Sequence, residues 1–225
     1  MTTTTPDLTA YHAVHTALRR GTHALAVAAA DLDVADRRRA QAFARYWKGF
    51  AGEVLAHHTI EDDVMFPALI ERAPVAAELI GRTDADHERL DELMTAVAAE
   101  VEELASGRIA PALSSELREL ASLMDAHLDF EDAEVLPRFE EHFTAEEYSE
   151  LDDQAAKALG LSKQAAFTIP FIASMLDPDV RDRVFGDAPA AFKLLYRATR
   201  RSHARLADRA LGPVARHAVP AAAGR

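Results

Sequence analysis

Two copies of one ligand pattern run through this chain: His15 followed by His57-x-x-x-Glu61, and His87 followed by His127-x-x-x-Glu131. A histidine and a glutamate four residues apart project from the same helix face, so each pair can grip a cation between packed helices. The interval from His15 to His57 is 42 residues and that from His87 to His127 is 40, which predicts two similar helical hairpins, each supplying two histidines and one glutamate. Imidazole and carboxylate donors suit iron, manganese or zinc. Glu61 and Glu131 are the natural bridges between two cations, with His15, His57, His87 and His127 as terminal ligands. Four inward histidines and two inward glutamates would be costly to bury without a metal to coordinate.

The elements that must position these donors are helical. Breakers divide residues 8–142 into stretches near 8–31, 37–71, 84–106 and 114–142. Asp36 and Thr83 stand where N-caps are expected, Pro74 and Gly81 mark the central turn, and Gly107 with Pro111 separate the last pair. Short connections make neighbours antiparallel, so the fold class predicted is all-α, an up-down-up-down four-helix bundle. At about 100° per residue, Phe43, Tyr46, Phe50, Val54, Ile60 and Glu61 share the face of His57, and Leu120, Leu123, Met124, Phe130 and Glu131 share that of His127. His58 and Asp62 fall about 100° and 140° from His57, toward a flank or solvent, and are set aside as ligands. Glu53, one turn from His57, and Tyr46, three turns away, are candidates to assist chemistry from behind the ligands. Asp91, four after His87, is a candidate replacement ligand.

Composition sets limits. The 225 residues are 49% hydrophobic, enough for one sizeable core and an appendage. With no cysteine, disulfides, thiolate nucleophiles, iron–sulfur clusters and cysteine-based zinc sites are excluded. No basic-then-apolar leader and no run of eighteen uncharged apolar residues occurs, so a cytoplasmic protein without membrane contact is expected. Residues 1–159 hold 14 Lys+Arg against 32 Asp+Glu, and residues 160–225 hold 11 against 5. The chain therefore divides into an acidic bundle over 1–159 and a basic helical extension over 160–225, expected to dock on the bundle through opposite charge or to form a homodimer contact. The acidic surface would repel a phosphate backbone, so no nucleic-acid partner is expected. Pro170 is expected to kink or interrupt the first helix of the extension.

The blocks HHTIEDDVMFPAL and HLDFEDAEVLPRF align without a gap, with a proline six residues after each glutamate. In these residues, and over roughly 8–142, the chain resembles the hemerythrin-like, or HHE cation-binding, family. The resemblance implies two iron ions with an oxo or hydroxo bridge, manganese and zinc being the alternatives, and reaction with dioxygen, hydrogen peroxide or nitric oxide. The chain departs from the oxygen carriers of that family. Thr83 and Asp91 stand where a second third-helix histidine would be, so one nitrogen ligand is missing, and Asp132 competes with Glu131 as the bridge. The pattern is similar to a bacterial branch linked to peroxide or nitric oxide chemistry. Fewer protein donors leave a position open for an outside ligand, which favours catalase-like turnover. The alternative is a sensor or carrier that binds oxygen, iron or nitric oxide without turnover.

Overall fold

The computed structural model describes residues 5–159, 164–186 and 188–217, and every regular element among them is helical. In chain order they are α1 (Thr9–Ala29), α2 (Arg37–Ile60), α3 (Phe66–Arg72), α4 (Ala77–Ser106), α5 (Leu113–Phe130), α6 (Leu136–His142), α7 (Ala145–Leu159), α8 (Ala165–Met175), α9 (Pro178–Gly186) and α10 (Ala190–His217). Helices α1, α2, α4 and α5 form the bundle, which α8 and α10 extend along the α1 and α2 side.

Local chemistry sets most boundaries. The Asp36 side chain caps α2 by accepting from the Arg39 amide at 3.0 Å. Gly107 ends α4 with φ at +87°, the left-handed conformation that glycine adopts without penalty. The fourth helix begins seven residues before its expected start. Pro74 nucleates a single tight turn, Pro74–Ala76, and α4 follows at once. Thr83 is therefore no cap but a buried mid-helix residue whose hydroxyl donates to the Ile80 carbonyl at 2.7 Å.

Both ligand helices widen at their glutamates. Residues Glu61–Met65 and Glu131–Val135 form single π-helical turns, in which the amides of Phe66 and Leu136 reach back five residues to the Glu61 and Glu131 carbonyls. Pro67 and Pro137 supply the reason: each lacks an N–H and its ring crowds the carbonyl four residues earlier, so a regular turn cannot pass through it.

Apolar packing lies on either side of the ligands. One cluster gathers Leu18, Phe43, Phe50, Val54, Leu90, Leu120 and Met124; the other gathers Leu8, Met65, Phe66, Leu69, Ile80, Val135, Leu136 and Phe139. Along each bundle helix the buried histidines and glutamates fall between a residue of the first cluster and one of the second. The site is thus a polar layer sealed above and below.

The extension joins this core through apolar contact. Phe171, fully buried, with Ala207, Ala210 and Leu211, belongs to the first cluster. Glycines make room: a Cβ on Gly49 would lie 2.3 Å from the Phe167 ring, and one on Gly21 would lie 2.8 Å from Phe171. Charge contributes on this side in both senses, Arg20 of α1 reaching Asp177 at 3.0 Å and Arg183 of α9 acting on Asp7. Pro170 sits within α8 without ending it, flanked by the packed rings of Phe167 and Phe171. No described helix is long and apolar enough to cross a membrane.

Candidate metal centre

Seven buried side chains converge between the two apolar clusters in two sets. The donor atoms of His15, His57, Glu61 and Glu131 lie within 4.8 Å of one another, as do those of His58, His87 and His127. The glutamates span the gap between the sets. Glu61 turns Oε1 toward His57 Nε2, at 3.2 Å, and Oε2 toward His87 Nε2, at 3.5 Å. Glu131 places Oε2 3.4 Å from His15 Nε2 and 3.6 Å from His127 Nε2, with Oε1 3.9 Å from His87 Nε2. Each carboxylate therefore faces histidines of both sets, the arrangement that lets one anion neutralise two neighbouring cations.

The hydrogen-bond inventory argues for metal. The Nε2 atoms of His15, His57, His87 and His127, both ring nitrogens of His58, Oε2 of Glu61 and both oxygens of Glu131 are buried without a hydrogen-bond partner. Buried polar atoms are rarely left so, and here they point at one another. Iron, manganese or zinc would satisfy them.

Carboxylates outside the donor set fix two of the rings. His15 Nδ1 lies 2.8 Å from Asp132 Oδ1, and His87 Nδ1 lies 3.1 Å from Asp62 Oδ1. Such contacts hold the opposite nitrogen toward the metal. The pairing crosses the repeat: the aspartate after Glu131 orients the histidine of the first half, and the aspartate after Glu61 orients that of the second. Of the two carboxylates weighed as bridge, Glu131 points inward and Asp132 serves His15 from outside. Tyr11 adds its hydroxyl, donating to Glu61 Oε1 at 2.5 Å.

His58 is where sequence geometry misleads. Expected on a flank, it is 3% exposed and stacks on the His87 ring with centroids 3.9 Å apart. The 100° offset from His57 was correct, but its meaning was not. Two cations side by side present two targets to one helix, so adjacent residues can each reach one. His58 could supply the nitrogen that the third helix lacks. The second block has Leu128 at the aligned position, so the sets are unequal, with two histidines against three. Asp62 is half-exposed, as expected of a residue far from the His57 direction, but it is engaged with His87. Tyr46 lies away from the donors, packed against Phe167, Phe171 and His203. Asp91 is exposed. Glu53 is buried and lines a cavity of about 120 Å³ together with Tyr11, His57, Glu61 and Asp152.

Residues 7–139 match the hemerythrin HHE cation-binding domain. The chain belongs to the hemerythrin HHE family. No curated protein and no solved structure matches it. The family description, cation binding, accords with the orphaned donors at the centre of this hemerythrin bundle.

Electrostatics within the hemerythrin site follow from burial and crowding. Burial, then the charges of neighbouring histidines, holds His57 well below its ordinary range and brings His58 to about 3 and His127 to about 2. These rings stay neutral, as metal ligands must. His15 differs: burial opposes its charge, but Asp132, Glu61 and Glu131 outweigh that and raise it to about 10. Burial and the Glu61 charge push Glu131 well above the carboxylate range. A cation at the centre would displace these protons and take over their compensating role.

Proposed function

We propose that this hemerythrin-family chain binds two iron ions and decomposes hydrogen peroxide to water and dioxygen. The observation that carries the reading is the inequality of the two sets. Three histidines, His58, His87 and His127, enclose one position. The other has two, and the cavity formed by Tyr11, Glu53, His57 and Glu61 lies against that set. A metal position short of protein donors and reached by a small cavity suits turnover of a small ligand rather than structural pinning. When bound, a pair of irons supplies two neighbouring centres of one-electron change, enough to match the two-electron steps of peroxide disproportionation. The protein's part is to hold the pair together with Glu61 and Glu131, to aim His15 and His87 with Asp132 and Asp62, and to offer a small ligand the cavity of about 120 Å³ beside His57 and Glu61.

The test is metal content and optical spectrum of protein from iron-replete cells, followed by oxygen release on adding peroxide. About two irons per chain and oxygen evolution faster than that of an equal concentration of free iron are expected. Zinc, no metal, or two irons with peroxide left intact would overturn the reading; the last of these would favour a binding or sensing module.

A further inference from the structure

The extension does more than cover the bundle. Glu53 is buried on α2 in the wall of the cavity, and the group that holds it comes from α8, 115 residues later: the Thr168 hydroxyl donates to Glu53 Oε2. Gln164, one turn before Thr168, bridges this contact to the bundle, with Nε2 donating to the Gly49 carbonyl at 2.9 Å and to Thr168 Oγ1 at 3.2 Å. The approach depends on two glycines. A Cβ on Gly52 would lie 2.5 Å from Gln164 Oε1, and one on Gly49 would overlap Phe167. A carboxyl group kept in a mostly apolar wall by a dedicated hydroxyl, an amide and two glycines is an expensive arrangement if it only fills space.

We propose that Glu53 is the proton-exchanging group on the open side of the metal centre, with Thr168 of α8 and Gln164, which precedes that helix, as its positioning residues. The proposal rests on the peroxide reading above. An O–H bond of incoming hydrogen peroxide breaks, its proton forms an O–H bond on the Glu53 carboxylate, and no electrons change hands in this step. The same proton later returns to the oxygen that departs as water. The titratable groups lining the cavity with Glu53 are Tyr11 from α1, His57 from α2, Glu61 from the π turn and Asp152 from α7, while the neutral Thr168 of α8 and Gln164 just before that helix reach it from the other side. Burial raises the Glu53 carboxyl above its ordinary range, opposed in part by the hydrogen bonds from Thr168 and Gln164.

The experiment compares full-length wild type with Thr168→Val, Thr168→Ser and Glu53→Gln. In the metal-free chain, the infrared carboxyl signal absent from Glu53→Gln should shift in Thr168→Val and return toward its wild-type position in Thr168→Ser. In the iron-loaded chain, Thr168→Val should lower kcat for peroxide by about tenfold and move the acid limb of the pH profile upward, with Thr168→Ser restoring both, and Glu53→Gln should lose at least a hundredfold. An unmoved carboxyl signal, or variants that turn over peroxide within twofold of wild type at full iron content, would overturn the proposal. If wild type holds two irons but leaves peroxide intact, the functional reading fails by itself. Proton uptake on azide binding then decides the role of Glu53: one proton per azide lost in Glu53→Gln upholds it, and unchanged uptake overturns it.

Discussion

The two halves of the metal centre are built from aligned sequence blocks yet differ in what they leave exposed. The second half is closed by three histidines, whereas the first has two, a tyrosine and a cavity. Two substitutions between the blocks account for most of this: His58 aligns with Leu128, and Tyr11, four before His15, aligns with Thr83, four before His87. A duplicated hairpin supplies a symmetric scaffold, and a few residues make its two donor sets unequal. The glutamates, by contrast, keep their symmetry because each must serve both positions.

Removing that shared element should have the largest effect. Glu131 is 1% exposed and faces histidines of both sets. Glu131→Ala is expected to drop bound metal from about two ions to less than one per chain, measured by elemental analysis after gel filtration. Retention of both ions would mean that Glu131 bridges nothing.

Making the halves alike comes next. His58→Leu copies Leu128 into the first block and should leave one firmly held ion, the three-histidine position having lost a donor and a buried ring. The fall in affinity for the second ion should exceed the 10–100-fold typical of losing a mere supporting group. Equal retention of both metals would show that His58 only packs on His87.

How these elements read in the sequence depends on the range of the physics involved. Helix period, the Asp36 cap and the Gly107 stop are local, and the four helices with their inward His15, His57, Glu61, His87, His127 and Glu131 were legible from spacing alone. The π turns were half-legible: the proline six residues after each glutamate was visible, but not that it would widen the preceding turn. His58 was misread because a single-axis view of α2 has one inward direction, whereas a two-metal layer has two. The α8 contacts were out of reach. Nothing in the local pattern of Thr168 names Glu53 as its partner, and net charge gives no hint of the buried rings that seat α8.

Acid should separate the halves in the metal-free protein. His58 and His127 remain neutral when folded, with values of about 3 and 2, against 6.5 for the free side chain. Below pH 6.5 the unfolded chain takes up these protons and the folded chain does not, so stability is full above 6.5 and falls as pH drops, by about 1.4 kcal/mol per pH unit for each such histidine. His15, raised to about 10, acts in the opposite sense: its contribution is fully present below 6.5 and is lost as pH rises through 10. Thermal melts of the metal-free chain should therefore fall steeply between pH 6.5 and 5, and His127→Leu should flatten that slope. An unchanged slope would mean that the three-histidine side does not set the acid limit.

The smallest effect should come from the crossed aspartates, and it too should be unequal. Asp132 is held by His15 Nδ1 at 2.8 Å, His12 Nδ1 at 3.2 Å and Arg19 Nη2 at 3.6 Å, while Asp62 has His87 Nδ1 at 3.1 Å and is the more exposed of the two. Both asparagine variants keep the shape but weaken the grip on the ring, so each should lower metal affinity by about tenfold. Asp132→Asn should be the worse, because it frees His15 on the side with only two histidines, where no third ring compensates. Competition with a chelator resolves the order: Asp132→Asn should release its first ion at a lower chelator concentration than Asp62→Asn. The reverse order would place the weaker position on the three-histidine side and break the assignment of roles to the two halves.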